Sequence, residues 1–135
     1  MNDLLLTEFD DEMKKTQTAL ERVPSGNNDF KPHPKSTPLG KLAPHIAQLA
    51  KAAGEQAAKV RDVLQNVSDQ AWTEPWKLSF GGKPIFEGTR FLAYRDMFLN
   101  HIVHHRSQLG VYLRLTDVPV PATYGPSADD SLGLM

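Results

Sequence analysis

The sequence predicts an all-α fold in a single domain spanning residues 1–135, interrupted by one short β-hairpin near 76–86. Three observations predict it. Long stretches near the start, in the middle and toward the end repeat apolar residues at three- and four-residue intervals, the helical signature. Only one stretch alternates apolar and polar residues, and it does so around a Gly81-Gly82 pair. The chain has 135 residues with 40% apolar content, enough for one hydrophobic core.

The first helix is predicted from about Asn2 to Glu21, with Leu5, Phe9, Met13, Thr16 and Leu20 on one stripe. Val23-Pro24-Ser25-Gly26-Asn27-Asn28 ends it in a turn-rich connection, and Phe30–Lys35, with two prolines, reads as irregular. Ser36-Thr37-Pro38 starts the next helix, a hydroxyl cap followed by proline at the first helical position. From there a heptad register runs to Val67 without an insertion. One column is Leu39, Ile46, Ala53, Val60 and Val67, and the other is Leu42, Leu49, Gln56 and Val63. Only Gly54 opposes helix in the alanine-rich middle, by about 1 kcal/mol. One long helix over about 38–66 is therefore predicted, roughly 40 Å at 1.5 Å per residue, with Pro44 bending its second turn. Trp76–Phe80 and Lys83–Phe86 form the hairpin. The last helix starts near Thr89 and runs to about Leu115, stopped by Asp117, Pro119 and Pro121. The tail that follows is irregular.

Composition removes several functions. Fifteen basic residues face sixteen acidic ones, and no basic stripe interleaved with aromatics is present, which argues against a nucleic-acid partner. The apolar run Leu4-Leu5-Leu6 is followed at once by Glu8, Asp10, Asp11 and Glu12, so it reads as neither a signal peptide nor a membrane span. A cytoplasmic protein with no membrane association is expected. The absence of cysteine excludes disulfides, thiolate metal sites and a cysteine nucleophile.

Chemistry concentrates in the histidines. Three of the five, His101, His104 and His105, lie on the last helix. Its inward stripe reads Phe91, Tyr94, Phe98, His101, His105, Leu109 and Tyr112, which places His101 and His105 one turn apart on the core-facing side. Two imidazoles four residues apart chelate one ion at metal–nitrogen distances of about 2.0–2.1 Å. Two satisfied core histidines account for the same spacing, and spacing alone leaves both readings open. His45, beside Leu42 and Leu49, borders the buried face of the long helix and is a third candidate ligand. His104 points aside, and His33, between two prolines, reads as a structural residue. Ile102 stands where a zinc protease places its glutamate base, which disfavours that chemistry. Three neutral imidazoles would leave open positions on the ion, and such a site lowers the pKa of bound water or thiol. Asn100, Arg106 and Gln108 are candidate partners of the ligands. Glu87, Asp96 and Tyr94 are the nearest proton-transfer groups in sequence, although each reads better as a surface or packing residue.

Four ordered segments carry a family resemblance. They are Asp29-Phe30-Lys31-Pro32-His33-Pro34-Lys35-Ser36, Leu42-Ala43-Pro44-His45-Ile46-Ala47, Asn100-His101-Ile102-Val103-His104-His105-Arg106-Ser107-Gln108-Leu109 and Tyr124-Gly125-Pro126-Ser127. Together with Phe80-Gly81-Gly82 they resemble the DinB/YfiT-like metalloenzymes over most of the chain outside residues 50–70. The resemblance implies a four-helix bundle, usually a homodimer. It also implies a metal ion, often nickel or zinc, held at the positions of His45, His101 and His105. Characterised members of that family include thiol-dependent transferases and isomerases that use low-molecular-weight thiols, and hydrolase chemistry would suit the same ion. One departure stands out. The family's second and third helices run parallel, joined by a long crossover. Returning along a helix of about 13 residues takes roughly 20 Å, at least six extended residues. The stretch around Gly54 offers none. Fused second and third helices, completed by a partner chain as an intertwined, helix-swapped homodimer, are therefore expected. The competing expectation is a non-catalytic metal-binding or structural helical dimer, in which the shortening has removed the substrate pocket.

Overall fold

The computed structural model describes residues 2–55 and 57–133, with side chains outside 51–61. The chain is mostly helical. In order it forms α1 (Asn2–Leu20), α2 (Leu39–Glu55), α3 (Ala57–Asn66), α4 (Asp69–Thr73), β1 (Pro75–Phe80), β2 (Lys83–Thr89), α5 (Arg90–Tyr94), a π-helical turn (Arg95–Leu99) and α6 (Asn100–Leu115). Among the described residues, no helix is long and apolar enough to cross a membrane.

Helix α1 buries Leu5, Phe9, Glu12, Thr16 and Ala19. The stripe is thus rotated from the predicted one in its second half: Met13 and Leu20 are half-buried, and Glu12 and Ala19 take the inward positions. Glu12 can face inward because Arg106 meets it there. The start of α2 is held by the preceding loop rather than by a hydroxyl cap. The amides of Leu39 and Gly40 donate to the carbonyls of Phe30 and Asn28, both at 2.8 Å, which satisfies two of the first-turn donors. Gly40 lies so close to that loop that a Cβ there would sit 2.8 Å from Asn28 Cβ. The helix continues through Pro44, which is solvent-exposed.

The end of α1 packs on the start of α2: Ala19 shares a core cluster with Leu39, Leu42, Ala43 and Ile46. The start of α1 packs on the end of α3, with Leu5 and Phe9 against Leu64, and the Asn2 side chain donates to the Gln65 and Val67 carbonyls. Thus α2 and α3 follow one another along α1, antiparallel to it. One residue, Gln56, separates them; the predicted continuity of the 38–66 helix at that point lies outside the described residues. A single residue leaves no length for a returning crossover.

Helix α4 was not anticipated. Ser68 caps it, accepting from the Ala71 amide at 3.1 Å, and it buries Trp72, whose indole N–H donates to Asn2 Oδ1 at 3.1 Å. The hairpin turns at Gly81-Gly82 with φ of +56° and +77°, the mirror-image turn that suits strand twist and favours glycine. Leu78 pairs with Phe86 and Ser79 with Pro84, so Ile85 is an extra residue in β2.

Thr89 caps α5 by accepting from the Leu92 amide at 3.2 Å. At the other end, Asp117 adopts φ +57° and the Val118 amide returns to the Leu113 carbonyl at 2.9 Å, a Schellman-type stop. Between these ends the predicted stripe fails at one place. The Asn100 amide donates to the Arg95 carbonyl, five residues back, and this π turn shifts the register ahead of His101. The fully buried face of α6 is Ile102, Arg106, Leu109, Tyr112 and Leu113. His101 and His105 are half-buried at its edge rather than central to it.

Among the described residues the interior has two apolar clusters. One joins the end of α1, the start of α2 and the end of α6. The other joins the start of α1 with Leu64 and Trp72, and Phe91, Tyr94 and Phe98 pack against it. Helix α6 therefore runs parallel to α1 and antiparallel to α2. Polar side chains occupy the level between the clusters.

Candidate metal centre

Helix α2 presents His45 next to the buried Leu42 and Ile46, and α6 packs against it with His101 and His105. All three imidazoles are half-buried, and each offers one ring nitrogen such that these atoms lie within 4.8 Å of one another. Ring centroids are 4.7 Å apart for His45–His105, 4.8 Å for His101–His105 and 5.7 Å for His45–His101. A shared ion sets a spacing against which these can be judged. With metal–nitrogen distances near 2.05 Å, each ring centre lies about 3.2 Å from the ion, and ligand angles of about 90–110° put ring centres about 4.5–5.2 Å apart. Two of the three spacings fall in that range, and the third corresponds to a wider angle. The donor set fits a divalent ion that favours imidazole.

The protonation chemistry agrees. Burial pushes His101 below its ordinary pKa, and positive charge on His105, His45 or His104 pushes it the same way, against a backbone hydrogen bond to Met97 that opposes the shift. His101 is thereby biased toward the neutral form that ligates metal. His105 Nδ1 lies 2.7 Å from Gln108 Oε1.

The remaining candidates separate cleanly. His104 is exposed, its ring 5.0 Å from that of His105, and lies outside the cluster. His33 is exposed in its loop, where Nδ1 accepts from the Lys35 amide at 3.1 Å. Asn100 donates to Asp96 on the exposed side of the helix at 3.0 Å. Glu87 pairs with Lys77 across the hairpin at 3.2 Å. The Tyr94 ring packs on Trp72 and Phe98 in the second apolar cluster. Among the described residues, none of Glu87, Asp96 and Tyr94 hydrogen-bonds to a triad imidazole.

Arg106 is the residue the sequence reading placed least well. It is buried, and its guanidinium donates to Glu12 Oε2 at 2.6 Å, to the Glu12 carbonyl and Thr16 Oγ1 at 3.1 Å, and to the Tyr124 hydroxyl at 2.8 Å. Tyr124 in turn donates to Glu12 Oε2 at 2.8 Å, and Lys15 Nζ lies 4.4 Å from its ring centre. Burial raises the Glu12 pKa, but the hydrogen bonds from Arg106 and Tyr124 and the charges of Arg106 and Lys15 outweigh it and hold the carboxyl below its ordinary value. The signal was present in sequence: Glu12 and Arg106 interrupt otherwise apolar stripes with opposite charges. A cavity of about 470 Å³ lies beneath the tail, lined by Ala19, Arg106, Gly110, Leu113, Val120 and Tyr124 among others, and none of the triad borders it. The chain matches no protein-family model, no curated protein and no solved structure.

Proposed function

We propose that this chain binds one divalent transition metal, nickel or zinc, through His45, His101 and His105, and acts as a metal-dependent enzyme of the thiol S-transferase or hydrolase type. The observation that carries the proposal is the convergence of three imidazole nitrogens from two helices within 4.8 Å. The only buried side-chain atom without a partner among the described residues is the Tyr94 hydroxyl, so the case rests on the convergence itself: one ion would bind three nitrogens at once. With three neutral protein ligands, the ion would keep its charge and open positions, which activates a bound thiol or water near neutral pH. The resemblance to DinB/YfiT-like proteins supports the same ligands, a low-molecular-weight thiol as co-substrate and a homodimer, and a cytoplasmic setting is proposed from the lack of an export signal or membrane span in the sequence.

A second reading, a metal-binding or structural helical dimer without catalysis, is favoured by one feature. Only Gln56 lies in sequence between α2 and α3, too little chain for the crossover that would help wall a pocket. Metal content tests both. Protein purified without chelator or metal-affinity resin should carry close to one equivalent of zinc or nickel, lost in His105→Ala. Well under one equivalent, with no rise in melting temperature on adding either ion, would overturn both readings. A stoichiometric ion with no turnover of thiol-plus-electrophile or ester substrates selects the second.

A further inference from the structure

We infer that Gln108 is a positioning residue of this centre, holding His105 in the Nδ1–H form so that Nε2 carries the lone pair available to an ion. The inference rests on the metal reading above and goes beyond it by assigning how the ligands are set before metal arrives. Two observations carry it. First, the 2.7 Å contact runs from His105 Nδ1 to the carbonyl oxygen of the Gln108 side chain, an acceptor only, so the ring nitrogen must be the donor. Second, Gln108 lies three residues after His105 on α6, so the helix itself fixes the pair. With Nδ1 committed to Gln108, His105 is left with Nε2 free for an ion, the arrangement that orients metal-binding imidazoles generally.

The test compares Gln108→Met, of similar length but without the carbonyl, with Gln108→Glu, which restores an acceptor. Long-range ¹H–¹⁵N spectra of the metal-free protein should show His105 as the Nδ1–H tautomer in wild type and displaced from it in Gln108→Met. Titration with zinc alone and nickel alone should weaken about tenfold in Gln108→Met, the low end of the usual 10–100-fold range because the bond is open to solvent. Gln108→Glu should bind at least as tightly as wild type. An Nε2–H tautomer in wild type, or Gln108→Met binding within twofold of wild type, overturns the assignment. If wild type takes up neither ion, the metal reading falls and the positioning role falls with it. The tautomer spectra, recorded without metal, tell that failure from the other.

Discussion

Among individual residues, Tyr94 carries the most unusual burden. Its hydroxyl is buried and has no hydrogen-bond partner among the described residues, and burial, with the nearby Glu8 charge, raises its pKa far above the ordinary value. An unmet hydroxyl costs about 1–3 kcal/mol, whereas the ring packs equally well without it. Tyr94→Phe should therefore be neutral to stabilising by about 1 kcal/mol in urea unfolding. A loss of more than 1 kcal/mol would show that the hydroxyl has a partner in solution. At this scale the sequence was legible wherever one residue's chemistry decides its place. His101 and His105 were singled out by spacing and His45 by its place beside Leu42 and Leu49, the resemblance joined them as one ligand set, and the structure brings the three together. Arg106 was read as a candidate partner of the ligands and its pairing with Glu12 was not foreseen, because a charged residue on an apolar stripe declares itself buried only once its partner is known, and these two are 94 positions apart.

For the elements, periodicity located α1, the hairpin and the helix from Arg90 to Leu115 to within a few residues. It could not locate the π turn, since one extra residue in a turn leaves composition unchanged and alters only the phase. That phase shift moved the two histidines from the centre of the core to its edge. Helix α4 was missed for a different reason: five residues are too few to show a period, and Ser68 was the only local sign. The C-terminal tail, read as irregular, is irregular but firmly tied. Asp129 pairs with Arg114 at 2.6 Å and accepts from the Val120 amide at 2.8 Å, while Tyr124 reaches the Glu12–Arg106 pair. Tyr124→Phe removes two charge-assisted hydrogen bonds and should cost about 1–3 kcal/mol. Faster amide exchange should appear in residues 118–130, and unchanged exchange there would sink this account. The Glu12 carboxyl adds a pH dependence of definite sign. Its pKa is depressed in the fold, so its stabilisation is complete above the ordinary carboxylate pKa and is lost as pH falls through the lowered folded value.

For the whole molecule, three rods pack side by side: α1, the α2–α3 path, and the helix ending in α6. A four-helix bundle needs another wall, and α3, with Val63 58% exposed, packs mainly on α1 within the chain. A second copy is the proposed source of that wall. Light scattering at micromolar concentration should return twice the 15.0 kDa chain mass; a monomer would refute the intertwined dimer while leaving the metal proposal intact. The short link between α2 and α3 was readable from sequence because it is a matter of counting residues. The proposed dimer contact was not, since an interface between copies leaves no periodic trace.

The two apolar clusters have a consequence for how the protein holds together in time. Among the described residues the apolar clusters lie toward the two ends, and the buried Glu12–Arg106 pair with its hydrogen bonds lies between them. His45 is anchored beside Ile46 in one cluster, whereas His101 follows the turn that bears Phe98 against the other. An ion gripped by both would act as a rivet at the waist, fastening one end of the molecule to the other.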